Sequence, residues 1–366
     1  RKDIPSKGSY VSHTRVLVLS LLLAVGSMWT SVAGSDAQSP TLTNDRTDLG
    51  YGLSVYAPQG EYAHDLGFDW IKVYDPPIAA QPTQVLYRFK VGASDWYDTS
   101  ALYHRIRGLA ISYGAFIDAY EIGNEVNIYE EWHSSPNASR YVDILCTAHM
   151  AIREVDPSAT IVSAGLAPVG RIDETWNQHS GHNGFAQDER EYLREFLYNN
   201  GNLCADVIGY HPMGFRADYD AEPDVGGGTP ETDCTDGFCF RGVEKIYEIL
   251  QEYRLGHLKI WATEVGWLAT PPGNCLGHPS LQGRYWQIVT AEKQAENLVG
   301  AMRYARSHWP WLETLFLFNL NFNEAPWYDD CEQMRFYSVL GTPTEAALRG
   351  FVNSEFRIYL PLVARY

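Results

Sequence analysis

The chain has 366 residues, a formal net charge of −17 and an apolar share of 45%. The negative charge makes nucleic acid an unfavourable partner and favours neutral or basic ligands, because a protein that binds phosphates needs a basic surface. The length exceeds that of one small domain but suits a single barrel of alternating strands and helices.

The N-terminal residues have the pattern of an export signal. Basic residues precede the apolar run VLVLSLLLAV, and the small residues of SVAGSDAQS allow a cut after Ala33 or Ala37. We predict a signal peptide over 1–33 and a linker over 34–48. The alternative is an uncleaved anchor, which the shortness of the apolar run disfavours. Six cysteines fit an oxidising compartment, so we expect the protein to be secreted or held at the cell surface.

Strand-like runs and helical patterns alternate through the rest of the chain. The runs are short, apolar and rich in β-branched and aromatic residues. We predict strands at 51–56, 69–74, 84–91, 115–122, 160–166, 206–211, 258–265 and 313–320. We predict helices at 99–113, 138–155, 187–200, 241–254, 285–308 and 343–353. This alternation predicts an α/β fold, a single (β/α)8 TIM barrel over 49–353 with long loops on its C-terminal face. The unit after the second strand is irregular, because DPPIAAQPT is too short and proline-rich for a helix.

Polar residues stand where three of the apolar runs end. The fourth run ends in EIGNEVN, which places Asn124 and Glu125 there, and the seventh ends in TEVGW, which places Glu264. The sixth ends on Tyr210 and His211. Active sites of such barrels lie at the C-terminal ends of the strands. Two facing carboxylates are what a retaining glycosidase needs, one to protonate the leaving oxygen and one to attack the anomeric carbon.

The motifs GNE after strand 4 and TE-x-GW after strand 7 resemble glycoside hydrolase clan A, loosely its family 39 of β-xylosidase and α-L-iduronidase type. The resemblance implies that Glu125 is the acid/base, Glu264 the nucleophile and Asn124 the amide that binds the sugar 2-hydroxyl. Met213 stands where many members carry a tyrosine after strand 6, which leaves that hydroxyl's role open. Strand 8 also lacks the usual terminal tryptophan. The residues that could replace it are Phe318, Asn319 and Trp327.

Further side chains are candidates for substrate binding. His211 and Tyr210 follow strand 6, and Arg88 on strand 3 either anchors a substrate carboxylate or pairs structurally in the barrel. Trp267 lies three residues past Glu264 and is predicted to line the subsite that holds the cleaved sugar.

Two loop tryptophans have two interpretations each, and one carboxylate has a structural one. Trp132 and Trp327 lie in the loops after strands 4 and 8, where a ring either stacks on a sugar or fixes its loop. Glu121, close to the GNE motif, is expected to make a structural ion pair.

The cysteines are predicted to form three disulfides. The expected pairs are Cys234–Cys239, Cys275–Cys331 and Cys146–Cys204; the alternative is that some remain buried thiols. We predict no metal ligands and no cofactor, since no CxxC or histidine-rich spacing is present. The acidic loop RADYDAEPDVGGGTPETD is either a solvated loop or a structural calcium site, although Pro223 stands where an EF-hand needs glycine.

The sequence therefore predicts a secreted retaining glycoside hydrolase that cleaves a neutral oligo- or polysaccharide by double displacement. The alternative is a carbohydrate-binding barrel with weak or no activity, which the missing tyrosine after strand 6 favours. We expect a carbohydrate partner, no nucleic acid, no membrane contact after signal removal, and a monomer. The strand-like tail 354–366, which contains YLPLV, either docks on the barrel or serves in surface sorting.

Overall fold

The computed structural model describes residues 49–355. The predicted signal peptide and linker, and residues 356–366 of the predicted tail, lie outside the described residues. Within 49–355, no helix has both the length and the apolar character needed to cross a membrane.

Eight parallel strands form a closed barrel. They are β1 Gly50–Ser54, β2 Trp70–Val73, β3 Gln84–Phe89, β4 Ala119–Ile122, β5 Thr160–Ser163, β6 Val207–Tyr210, β7 Lys259–Val265 and β8 Leu312–Leu317. Parallel pairing of β1 with β8, for example Gly52 with Phe316, closes the ring. The predicted (β/α)8 fold is therefore confirmed.

Helices connect the strands on the outside of the barrel. They are α1 Gly60–Asp65, α2 Thr99–Tyr113, α3 Tyr129–Trp132, α4 Ala138–Val155, α5 Glu189–Tyr198, α6 Val243–Glu252, α7 Ala291–His308 and α8 Pro343–Glu355. Side-chain caps fix several starts, as where Asn137 accepts from the Arg140 amide and Thr290 from that of Lys293. The bounds of α2 and α4 are those predicted from the sequence.

Three local features depart from a regular alternation of strands and helices. Residues 74–83, all of which the structure describes, contain no helix between β2 and β3. The predicted strand 115–122 was too long, because Gly114–Phe116 forms a 3₁₀ turn after α2 and the strand itself begins at Ala119. A short two-stranded hairpin, Thr175–Trp176 with His179–Ser180, lies in the loop after β5.

The barrel interior consists of layers of inward-pointing side chains. One layer is apolar and contains Trp70, Leu86, Ala119, Val162, Val207, Trp261 and Phe316. Phe316 fills its place only because Gly52 has no side chain: a Cβ there would lie 2.2 Å from the Phe316 ring. Since side chains in a strand alternate, the residues two positions further along β2, β3 and β4 also point inward, and these are Lys72, Arg88 and Glu121. A charged layer thus lies directly above the apolar one.

All six cysteines lie in the described chain and are paired, as predicted. Cys146–Cys204, Cys234–Cys239 and Cys275–Cys331 have Cα–Cα distances of 4.9, 5.2 and 5.0 Å. The third links the loops after β7 and β8, which both border the cleft described below.

Candidate active site

The end of β4 is a tight turn that presents Glu125. Gly123 has φ 93°, and Glu125 has φ 40°, a left-handed conformation that is unusual for a residue with a side chain. The Glu125 amide donates to the carbonyl of Gly165 at 2.9 Å, which fixes the turn against the chain after β5. Backbone strain of this kind concentrates at functional sites because the surrounding structure must hold it in place. The Glu125 side chain, 25% exposed, lines a cleft at the C-terminal end of the barrel.

A bulge in β7 aims Glu264 into the same cleft. Leu315 of β8 pairs with Ala262 and Leu317 with Val265, so β7 has one extra residue over this stretch. In a regular strand, one of the neighbours Thr263 and Glu264 would point away from the barrel interior. A bulge changes the direction of a side chain, so both can point inward. Thr263 is fully buried, and Glu264 is 12% exposed and lines the cleft.

One histidine lies between these two carboxylates. His211 Nδ1 is 2.9 Å from Glu125 Oε1 and 3.9 Å from Glu264 Oε2. Each carboxylate therefore has an oxygen within 3.9 Å of a single nitrogen, so the two groups are close neighbours in the cleft. The imidazole fits because Gly165 has no side chain; a Cβ there would lie 2.2 Å from His211 Nε2.

His211 is fully buried, and its charge state follows from its neighbours. Burial opposes the imidazolium, but the negative charge of Glu264, with Glu121 and Glu125, outweighs burial and raises the pKa of His211 to about 9. The imidazole is therefore cationic at neutral pH and donates its Nδ1 hydrogen to Glu125.

Lys72 is the centre of a buried ion cluster beneath the cleft. Its Nζ lies 2.8 Å from Glu121 Oε2 and 2.9 Å from Glu264 Oε1, and its side chain is inaccessible to solvent. Burial opposes the ammonium charge, yet the two carboxylates outweigh it and raise the pKa of Lys72 above its ordinary value. The expected structural ion pair of Glu121 is therefore confirmed, with Lys72 as its partner.

The carboxylates in turn are held ionised. Burial opposes ionisation of Glu121, but Lys72 outweighs it and lowers the pKa of Glu121 to about 2. Burial acts on Glu264 in the same way, and Lys72 and His211 together hold the pKa of Glu264 below its ordinary value. An ionised carboxylate in a cleft is suited to nucleophilic attack.

Sequence reasoning missed Lys72. The available signal was a lysine in the middle of DWIKVY, two residues after Trp70 and so on the same face of the strand. Its partners come from β4 and β7, which no local pattern connects to β2.

The cleft has a volume of about 490 Å³, within the usual range for ligand sites. Asn124, Arg88 and Trp327 line it, and their predicted binding of substrate stays a prediction. Phe318 and Trp327 both occupy the region after β8 where clan A usually has a tryptophan, whereas Asn319 is buried and donates to the Met334 carbonyl.

Four residues predicted to bind substrate do not line the cleft. The first, His211, is fully buried and contacts Glu125 instead, and the other three are aromatic. Tyr210 points outward from β6 into the helix layer, because alternation turns its neighbour His211 inward. Trp132 is fully buried and packs edge-on against Tyr141. Trp267 is also fully buried, and its Nε1 donates to the Ala217 carbonyl at 2.7 Å. These three predictions were wrong, since the rings belong to the packing around the barrel.

Tyrosine side chains line the cleft from other segments than the one after β6, where Met213 lies. Tyr74 follows β2, and burial together with the charge of Glu264 raises its pKa. Tyr337 comes from the loop after β8, where burial raises its pKa to about 12. Both side chains line the cleft, and neither was identified from the sequence.

The acidic loop after β6 does not gather its carboxylates around one point. Asp218 pairs with Lys293, Asp224 with Arg190, and Glu231 with Arg216. Within residues 49–355, no group of three or more His, Cys, Asp or Glu side chains is arranged to hold a metal ion.

No protein-family model matches the sequence, and no curated protein is significantly similar to it. Solved structures do share its fold. A family 39 glycoside hydrolase from the gut symbiont Bacteroides cellulosilyticus is 14% identical with a TM-score of 0.51, covering 84% of this chain and 64% of that chain. A glucosidase from Croceicoccus marinus is 10% identical with a TM-score of 0.54, covering 84% and 67%. The GH53 catalytic domain of Ignisphaera aggregans is 16% identical with a TM-score of 0.51, covering 85% and 97%.

The chain therefore spans less than two thirds of the length of the family 39 structure. At these identities the likeness establishes the barrel fold that the resemblance to clan A implied. It does not transfer an activity, which rests on the residues themselves.

Proposed function

We propose that the protein is a retaining glycoside hydrolase with Glu264 as nucleophile and Glu125 as acid/base. The observation that carries the proposal is the placement of the two cleft carboxylates within 3.9 Å of one imidazole nitrogen, at the ends of β4 and β7. The support for assigning the roles is electrostatic: Glu264 is the one bound to Lys72 and kept ionised. Glu125 has no lysine or arginine ion-pair partner within residues 49–355; its charged neighbour is His211 at 2.9 Å, and it is the more exposed of the two carboxylates, at 25% against 12%.

The reaction proceeds in two displacements. Glu264 attacks the anomeric carbon while Glu125 gives a proton to the departing glycosidic oxygen, so the C–O bond breaks and a glycosyl ester forms. Glu125 then takes a proton from water, whose oxygen attacks the anomeric carbon and releases Glu264 as carboxylate. Each proton that Glu125 loses in the first step returns in the second. His211 orients the Glu125 carboxylate through its hydrogen bond of 2.9 Å.

Lys72 and Glu121 reduce the energetic cost of neutralising Glu264 inside the barrel. Glu264 loses its negative charge when the ester forms, which would leave a lone buried cation if Lys72 had no other partner. Lys72 keeps its ion pair with Glu121 at 2.8 Å, so the ammonium remains compensated through the cycle. The transition state thus forms next to charges that are already in position.

We propose a neutral oligo- or polysaccharide as substrate, because the chain's net charge of −17 repels polyanions. Asn124 would bind the sugar 2-hydroxyl, and Trp327 would stack on a ring. One observation favours a second candidate, a sugar with a carboxylate. The Arg88 guanidinium lines the cleft, lies 4.5 Å from the centre of the Tyr74 ring, and makes no ion pair with a carboxylate in residues 49–355.

The three disulfides support export to an oxidising compartment, so we propose that the protein acts outside the cell or at its surface. There it would meet polymeric glycans.

Aryl glycosides test the proposed chemistry. The wild type should hydrolyse at least one of the p-nitrophenyl β-xyloside, β-glucoside, β-galactoside and β-glucuronide, and Glu264→Ala should lose activity by several orders of magnitude. Glu125→Ala should lose much less on dinitrophenyl than on nitrophenyl glycosides, because the former leaving group needs no proton. Proton NMR should show first release of the anomer that the substrate contained.

The outcomes separate the candidates. An inverted product would refute the retaining mechanism, and binding of glycans without hydrolysis would favour the non-catalytic barrel. If Arg88→Ala abolishes turnover of the glucuronide and spares the neutral glycosides, the acidic sugar replaces the neutral one.

A further inference from the structure

Three aromatic rings form a cluster beside the cleft. Phe215 and Phe238 come from two ends of the loop after β6, and Trp286 comes from the loop after β7. The Phe215 and Trp286 rings are stacked, with centroids 5.4 Å apart and planes 10° from parallel. The Phe238 ring stands edge-on to both, at 4.9 Å from Phe215 and 5.5 Å from Trp286. We call this cluster the aromatic platform.

Within the platform, Phe238 is packed closely against the backbone, whereas Trp286 is exposed to solvent. Gly170, with φ 81°, passes so close to Phe238 that a Cβ there would lie 2.8 Å from the ring. Trp286, in contrast, is 46% exposed to solvent. An indole that lies nearly parallel to a second ring and yet exposes so much of its surface contributes little to a core. A half-exposed ring that two other rings contact is well placed to bind a ligand.

The platform is continuous with the cleft. Phe215 itself lines the cleft together with Glu125 and Glu264, while Phe238 and Trp286 lie beyond the cleft lining. A chain that leaves the cleft on this side therefore passes over aromatic rings. Aromatic faces pack against the apolar C–H faces of pyranose rings, and the rest of each sugar stays hydrated.

We infer that the aromatic platform binds a pyranose unit of the substrate remote from the cleaved bond, so that the substrate is an oligosaccharide chain and not a single glycoside. This inference rests on the proposed function and adds to it a binding site for a sugar unit remote from the cleaved bond. The competing explanation is that the rings only fix the loops after β6 and β7 to each other, which predicts a loss of stability and no dependence on chain length.

The test compares Trp286→Ala with Trp176→Ala. Trp176 has the same exposed fraction, 46%, but lies in the hairpin after β5 and does not line the cleft. Xylo-, cello- and galacto-oligosaccharides of two to six units, each with its p-nitrophenyl monoglycoside, are assayed for kcat/KM. In Trp286→Ala the ratio of kcat/KM on the longest chain to that on the monoglycoside should fall about 10-fold, through KM. Trp176→Ala should keep the wild-type ratio.

An equal loss on every chain length, or a loss that accompanies a lower melting temperature, would overturn the platform. Binding provides a readout that does not need turnover. Titration calorimetry with the same oligosaccharides, in a Glu264→Ala background, should show affinity that rises with chain length and falls about 10-fold when Trp286→Ala is added. If these proteins bind long chains while the wild type cleaves nothing, the proposed function fails and the platform stands. Affinity that does not respond to chain length or to Trp286 refutes the platform alone.

Discussion

Lys72 on β2 and Glu264 on β7 form an ion pair of 2.9 Å within the barrel, although 192 positions separate them in the chain. The pair connects the charge on the cleft carboxylate to a cation that solvent cannot reach. The acid–base behaviour of Glu264 therefore depends on a residue beneath the substrate cleft.

Replacing Lys72 should alter both stability and the pH profile. Lys72→Met leaves Glu121 and Glu264 without their shared cation, so we expect a loss of about 3–5 kcal/mol in the free energy of unfolding. Loss of the cation also raises the pKa of Glu264, so the acidic limb of the kcat/KM profile should move to higher pH. Urea unfolding and a pH–rate profile measure the two effects.

A double variant separates these effects. Lys72→Met with Glu121→Gln removes the second uncompensated carboxylate and should recover part of the stability. The acidic limb should stay above its wild-type position but move less far than in Lys72→Met, because Glu264 still lacks its cation while the negative charge of Glu121, which raises the pKa of Glu264, is gone. An acidic limb at its wild-type position in both variants would show that Lys72 has only a structural role.

Trp267 and Trp327 should respond to truncation in opposite ways. Trp267 is fully buried, so Trp267→Ala should cost about 3–5 kcal/mol of stability through the cavity it leaves. Trp327 is 60% exposed on the cleft, so Trp327→Ala should leave the unfolding midpoint nearly unchanged and lower kcat/KM roughly 10-fold. Denaturant unfolding and kinetics on both variants decide the matter. A stable Trp267→Ala protein with weakened substrate binding would restore Trp267 to the site.

The buried histidine should make stability fall on the alkaline side. The pKa of His211 is about 9 in the folded protein against an ordinary value of 6.5, so its contribution is fully present below pH 6.5 and is lost as pH rises through about 9. Glu121 acts in the opposite sense, since its pKa is lowered from 4.5 to about 2 and its contribution is lost as pH falls through that range. Together these two groups favour maximal stability between pH 4.5 and 6.5.

Melting temperatures of the wild type and His211→Gln, taken from pH 6 to 10, check this prediction. The stabilisation of the wild type over the variant should shrink as pH rises. The comparison is needed because burial raises the pKa of Glu189 to about 7, which also lowers stability with rising pH but is common to both proteins. A difference that stays constant with pH would mean that His211 is not protonated in the folded state.

Two of the disulfides provide a matched pair. Cys275–Cys331 and Cys146–Cys204 close segments of 56 and 58 residues, so each should contribute about 4 kcal/mol by the chain-entropy argument. Replacing either pair by serine should therefore lower stability by similar amounts. Only loss of Cys275–Cys331 should also raise KM, because it joins loops that supply Gln287 and Trp327 to the cleft. Equal effects on KM would show that the loops do not depend on this link.

The sequence was sufficient for the barrel because each of its signals is local. Apolar runs, helix caps and the polar residues at the ends of β4 and β7 are all visible within about ten residues, and they led to Glu125 and Glu264. The side-chain direction after a strand was harder to obtain. His211 points inward and Tyr210 outward by simple alternation. Glu264, in contrast, faces the cleft only because of a bulge in β7, for which the sequence contains no local signal.

The features of the site that the sequence did not predict depend on contacts between segments distant in the chain. Trp267 lies three residues past Glu264, but the chain has by then turned into the packing around Gly214, where a Cβ would lie 1.8 Å from the indole. The ion pairs of Lys72 form only when the closed barrel brings β2, β4 and β7 together. Such partners are set by the closed barrel and not by any neighbouring residue.

The buried cluster of Lys72, Glu121 and Glu264 also has a consequence for engineering. Apolar residues of similar volume in place of a buried ion cluster are often neutral or stabilise a protein by about 1–4 kcal/mol, because no charge then has to leave water. A thermostability screen without an activity assay would therefore tend to select substitutions at these three positions and yield a robust but inert barrel. We therefore expect the cluster to cost stability, and a screen must hold these three residues fixed to keep the proposed chemistry.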